Sequence, residues 1–189
     1  MRRRVLLGLC LAALAAAPAA RAQEDALWQA LEQGGLVVLL RHATAPGTGD
    51  PAGFRLDDCR TQRILSEAGR EEARRLGAEF RARGVAVGRV LSSRWCRCLE
   101  TARLLDLAPV EPFEPLDSFF TERSRREIRT EALRRFVAGW RGPGNALLVT
   151  HQVNITALTG IFPGSGEAVL LRPWRGGFQI LGRLPPPGA

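Results

Sequence analysis

Two stretches decide the fold: Leu36-Val37-Val38-Leu39-Leu40-Arg41-His42 and Ala146-Leu147-Leu148-Val149-Thr150-His151. Each is a short apolar run without polar alternation. Gly34-Gly35 precedes the first, and Gly142-Pro143-Gly144 precedes the second. Runs of this kind read as strands buried on both faces, which belong to parallel sheets covered by helices. The chain has two histidines, and each follows one of these runs. In open α/β sheets, ligands bind beyond the carboxyl ends of the strands. One histidine so placed would read as a satisfied core or edge residue. Two in matching positions favour a functional reading.

Working outward, residues 24–33 read as a short helix ended by Gly34-Gly35. Residues 43–64 form a long loop rich in Gly, Pro and Asp, a length usually reserved for function. Ser66 caps a helix to about residue 83, with Ala73, Leu76, Gly77 and Phe80 at helical spacing. Residues 87–91 are a second strand and 94–107 a helix with Trp95, Cys98, Ala102 and Leu105 on one face. A short extended piece at 110–113 leads to a polar loop, 117–126. An amphipathic helix (129–140), a short helix (154–160) and two closing strands (169–171 and 178–181) complete the order. Pro185-Pro186-Pro187 reads as a loose tail. Strands alternating with helices define an α/β class with a mainly parallel sheet.

Composition narrows the chemistry. All 27 basic residues are Arg, so lysine mechanisms, including Schiff bases and P-loop lysines, are excluded. Residues 1–22 read as a cleaved secretory signal. Arg2-Arg3-Arg4 is its basic region, 5–17 its apolar stretch, and Ala20-Arg21-Ala22 its cleavage site. Cys10 follows Leu9, which is too large for a usual lipidation box. Residues 23–189 then form one domain, expected to be periplasmic or secreted and without stable membrane insertion. Loss of Arg2, Arg3, Arg4 and Arg21 lowers the formal charge from +8 to +4. The remaining Arg interleave with Glu, as in Glu71-Glu72-Ala73-Arg74-Arg75, which reads as a solvated helix face. No segregated basic patch with aromatic platforms suggests nucleic acid. Export makes cysteines oxidisable. Cys59 pairs with Cys96 or Cys98, or the three are small buried residues.

A third strand end carries Leu91-Ser92-Ser93-Arg94-Trp95-Cys96-Arg97. It enters a helix, whose N-terminal amides and dipole suit an anion. Arg97 in the first turn opposes that dipole unless it holds an anion there. With Arg41 it offers two guanidinium forks for phosphate oxygens. Two histidines and two arginines together point to phosphoryl chemistry. A neutral imidazole is a nucleophile that needs neither metal nor cofactor.

At these residues the chain resembles the histidine phosphatase superfamily, also called phosphoglycerate mutase-like. Arg41-His42-Ala43-Thr44 resembles its R-H-x-x motif, and Leu65-Ser66-Glu67-Ala68-Gly69 its L-[ST]-x-x-G helix start. Ser92-Ser93-Arg94-Trp95-Cys96-Arg97, followed by Glu100-Thr101-Ala102, resembles its S-S-x-x-x-R-x-x-x-T-A segment. Thr150-His151 resembles its closing motif. The four run in order over about residues 36–160. The resemblance implies a three-layer sandwich and His42 as the phosphorylated nucleophile. It implies that Arg41, Arg97 and His151 bind the phosphoryl group, and that Thr44 and Asn154 contact substrate. Short exported members resemble periplasmic phosphatases, one of which acts on lipopolysaccharide core heptose phosphate.

The chain departs from the family at the general acid. Asp117 and Glu122 occupy the region where the mutase-like branch places it, without a clean motif. The acid-phosphatase branch places it after the second His, where this chain has Gln152, although His151-Gln152-Val153-Asn154 otherwise resembles that branch's H-D-x-N. An amide cannot donate a proton as an acid does. Either Asp117 or Glu122 serves, or the substrate has a good leaving group. Asp57-Asp58 is a further candidate better suited to a turn or cap. The leading reading is an exported, metal-independent phosphomonoesterase acting on a phosphorylated small molecule or envelope glycan. The alternatives are a phosphohistidine or phosphoprotein phosphatase and a non-catalytic phosphate-binding envelope domain.

Overall fold

A computed structural model describes residues 16–188. The two apolar runs form β1 (Val37–Arg41) and β4 (Asn145–Thr150), neighbours in a six-stranded sheet. Every residue of both is buried except Arg41, as a strand covered on two faces requires. They pair in parallel with Arg41 opposite Thr150. The His42 amide then donates to the Thr150 carbonyl at 2.9 Å, so His42 and His151 leave the sheet side by side. On the far side of β4 lies β2 (Val87–Ser92), parallel, with Ser92 opposite Val149. Next to it, β3 (Val110–Pro112) ends the parallel half. Antiparallel β5 (Ala168–Trp174) flanks β1 and pairs with β6 (Gly177–Leu184), giving the order β3-β2-β4-β1-β5-β6.

Alternation along β1 divides the interior into two cores. Val38 and Leu40 face α1 (Ala16–Gln33), α2 (Glu67–Ala82) and α3 (Cys96–Leu105) through Trp28, Leu31, Phe80 and Leu105. Val37 and Leu39 face α4 (Arg126–Gly139) and α5 (Gln152–Thr159) through Leu133, Val137 and Ile155. Each such fully buried side chain contributes roughly 2 kcal/mol. The expected three-layer α/β sandwich is borne out.

The boundaries differ from expectation in places. α1 begins by Ala16 and runs unbroken across Ala22-Gln23, where cleavage was expected; from Arg21 onward its first buried side chain is Leu27. Arg2, Arg3, Arg4, Cys10 and most of the apolar stretch lie outside the described residues. α3 starts at Cys96 rather than Arg94, because the Asp117 carboxylate holds the Arg94 amide at 2.8 Å in the preceding turn. α4 starts at Arg126, ahead of the expected 129, after a 3-10 turn over Arg123–Arg125. Among the described residues no helix is long and apolar enough to cross a membrane.

Candidate active site

Three parallel strands deliver their carboxyl ends to one cleft with a cavity volume of about 110 Å³. The His42 and His151 rings meet there edge-to-face with centroids 5.5 Å apart. His42 Nδ1 lies 2.8 Å from the Ala43 carbonyl, which can only accept, so Nδ1 carries the proton. The Nε2 lone pair therefore faces the cleft, where Arg97 Nε donates to it at 3.3 Å. Burial, and then the charge of Arg97, push the His42 pKa down to about 3. Burial and Arg97 likewise hold His151 well below its ordinary value. Both rings are neutral at physiological pH.

The charge of the cleft is set by three arginines, not two. Arg41, Arg63 and Arg97 line it, against a single carboxylate, Asp50. Arg97 donates from Nη1 and Nη2 to the Asp50 oxygens at 2.7 and 3.2 Å, and Trp95 Nε1 reaches the same carboxylate at 2.9 Å. Although burial works in the opposite direction, these donors keep the Asp50 pKa below its ordinary value. Two buried donors, Arg41 Nε and Arg63 Nε, have no partner. With both imidazoles neutral, three guanidinium groups and one carboxylate leave a net charge of about +2, which matches the dianion of a phosphate monoester. Sequence reasoning missed Asp50 and Arg63. Both sit on the long loop, where no periodicity marks which side chains turn inward.

The motif residues around the cleft hold its backbone. The Thr44 carbonyl accepts from the Ser66 amide at 3.0 Å and from Ser66 Oγ at 3.2 Å. It also lies against Gly69, where an added Cβ would come within 2.1 Å of its oxygen, so the helix start admits only glycine. Thr101 Oγ1 accepts from the Ala43 amide at 3.1 Å. The turn that carries His42 is thus pinned from α2 and α3 together.

Of the residues expected to act, the structure brings Arg41, His42, Arg97 and His151 together and leaves four others outside the cleft. Asp117 is fully buried and spent on Arg94, whose Nε and Nη2 donate at 2.8 and 2.5 Å. It faces His151 only through Ser93, whose Oγ lies 3.2 Å from Asp117 and 2.9 Å from His151 Nε2. That geometry suits orienting the ring, not protonating a leaving group. Glu122 is exposed and paired with Arg125 at 3.0 Å. Thr44 turns its hydroxyl to Glu72 at 2.8 Å. Asn154 is buried and donates to the Asp117 carbonyl at 2.9 Å, so it braces the loop. At the α3 start, expected to offer its amides to an anion, those of Trp95 and Cys96 are taken by Ser93 Oγ and Gln62 Oε1. Asp58 caps the short turn at Cys59–Thr61. Cys59 and Cys96 form a disulfide, and Cys98 is free and buried.

Such a site on such a sheet defines an α/β protein whose cleft sets two imidazoles among arginines suited to an anion. The comparisons agree. The model of the histidine phosphatase superfamily (branch 1) matches residues 37–123. A solved structure assigned as the phosphohistidine phosphatase SixA from Agrobacterium tumefaciens is 21% identical with a TM-score of 0.53, over 81% of this chain and 99% of that one. Another, from Nakamurella multipartitia and assigned likewise, is 18% identical with a TM-score of 0.58, over 81% and 96%. A mycobacterial glucosyl-3-phosphoglycerate phosphatase is 18% identical with a TM-score of 0.55, over 78% and 97%. At these identities the likeness is one of fold. No curated protein sequence matches the chain. The chain is thus similar to the histidine phosphatase superfamily in sequence over residues 37–123, and to these solved structures in fold over most of its length.

Proposed function

We propose that the protein is an exported phosphatase that hydrolyses phosphomonoesters through a phosphohistidine on His42, without a metal. The observation that carries this reading is the neutral His42 Nε2 lone pair facing a cleft of net charge near +2. The phosphoryl oxygens take the Arg41, Arg63 and Arg97 donors. Nε2 then forms a bond to phosphorus as the ester oxygen departs with its electron pair. Water next attacks phosphorus, and the N–P electrons return to Nε2.

Asp50 is the carboxyl group placed to serve the departing oxygen. A phosphoryl dianion at Arg97 competes for the donors that keep Asp50 ionised. As a like charge beside it, the dianion also raises its proton affinity. Asp50 takes up a proton from solvent as the dianion binds, gives it to the leaving oxygen, and as the resulting carboxylate accepts one from the attacking water. Support for the metal-free step comes from the arginines, which already supply the countercharge. Export is supported by the basic-apolar-A-x-A pattern of residues 1–22 and by the Cys59–Cys96 disulfide, a bond favoured outside the cytoplasm.

A second reading, a phosphohistidine phosphatase, is favoured by the pairing that keeps Asp50 ionised in the free site. A phosphohistidine has a better leaving group and needs less acid assistance. Steady-state assays of wild type and His42→Ala on aryl phosphates, with and without EDTA, test the main proposal. Turnover should vanish in the variant and survive the chelator. Loss to EDTA with recovery on added zinc contradicts it.

A further inference from the structure

The cleft does not end at the phosphoryl pocket. Phe120, Gln152 and Val153 line both that pocket and a second groove of about 500 Å³, which continues along α5 past Thr156. Arg123 and Arg126 form the wall of this groove, and no carboxylate lines it. Neighbouring arginines are paired: Arg125 with Glu122 at 3.0 Å, Arg129 with Glu114 at 2.8 Å and Arg134 with Glu131 at 3.5 Å. Among the described residues, Arg123 and Arg126 lie within ion-pair distance of no acid, although both also line an adjoining groove whose walls include Glu127 and Glu131. Phe120 is 46% exposed, an apolar ring set between the phosphoryl pocket and the two free guanidinium groups. From Gln152 to Ala157, α5 rises about 7 Å at the usual helical advance.

We propose that this groove is a second anion subsite. The substrate is then a phosphomonoester whose leaving group lays an apolar spacer on Phe120 and presents a second anionic group to Arg123 and Arg126. This rests on the phosphatase reading of the main cleft. It adds that a small monophosphate fills only half of the site. The two guanidinium groups favour an anion with several oxygens, since each can donate two parallel hydrogen bonds.

Calorimetric titration of two non-hydrolysable probes, benzylphosphonate and p-xylylene bisphosphonate, tests the subsite. Wild type should bind the bisphosphonate about tenfold more tightly than the monophosphonate, the gain expected from one charge-assisted contact set. In Arg123→Ala/Arg126→Ala that ratio should fall to near one. In Arg103→Ala, an exposed change on α3 beneath the opposite face of the sheet, it should persist. A ratio near one in wild type, or an undiminished ratio in the double variant, overturns the subsite. Failure of wild type to hydrolyse any aryl phosphate would instead sink the phosphatase reading, and the two binding ratios would still decide the subsite.

Discussion

At the scale of single residues, the site depends on which atoms are spent and which are free. His42 gives its Nδ1 proton to a backbone carbonyl, and so keeps Nε2 for chemistry. Asp117 is spent on Arg94 and Ser93, and so cannot be the acid. Asp50 is shared between Arg97 and Trp95, and in the proposed mechanism becomes the acid only when phosphate takes Arg97 away. Asp50→Asn therefore should lower turnover of alkyl phosphates by roughly 10²–10⁴-fold, the usual worth of a general acid. Turnover of 4-nitrophenyl phosphate should fall far less, because its leaving group needs no proton. Equal losses on the two substrates would show that Asp50 only positions Arg97. Four of the residues that line the cleft, Arg41, His42, Arg97 and His151, were legible in the sequence, because they stand at or just beyond strand ends. Asp50 and Arg63 were not, because among 27 arginines and a loop rich in acids nothing local reports which side chain turns inward.

At the scale of elements, the long loop 43–64 carries a third of the residues lining the site and has almost no regular structure to hold it. Its anchors are the Thr44 carbonyl against Gly69, the Gln62 side chain on the Cys96 amide, and the Cys59–Cys96 disulfide one residue before Arg97. The disulfide spans a sequence separation of 37, for which the chain-entropy model gives a stabilisation of about 4 kcal/mol. Cys59→Ser/Cys96→Ser should melt roughly 10 °C lower in a chain of this size. It should also show a raised KM, since Asp50 and Arg63 lose their tether. An unchanged melting curve and unchanged KM would mean that the other anchors suffice. Strand positions were readable because apolar runs report burial directly. Helix starts were less so: α3 and α4 begin where a distant carboxylate or a 3-10 turn sets the chain, which periodicity does not record.

At the scale of the whole molecule, the layers could be inferred from the order of elements, and the sheet's antiparallel edge could not. β5 and β6 follow one another through a turn at Arg175-Gly176, a local hairpin that the α/β alternation gives no reason to expect. The export proposal also belongs to this scale. In cells making the full chain, the protein recovered from outside the cytoplasm should begin at Gln23 by intact mass. Retention inside with residues 1–22 attached would contradict it. What the fold achieves as a unit is convergence: three parallel strand ends and one tethered loop bring their side chains to one cleft. The direct measurement is to trap the intermediate. The protein is mixed with 32P-labelled aryl phosphate, quenched in alkali, digested and mapped. The account predicts alkali-stable, acid-labile label on His42 and none in His42→Ala. Continued hydrolysis with no label on His42, or label carried by another residue, would contradict it.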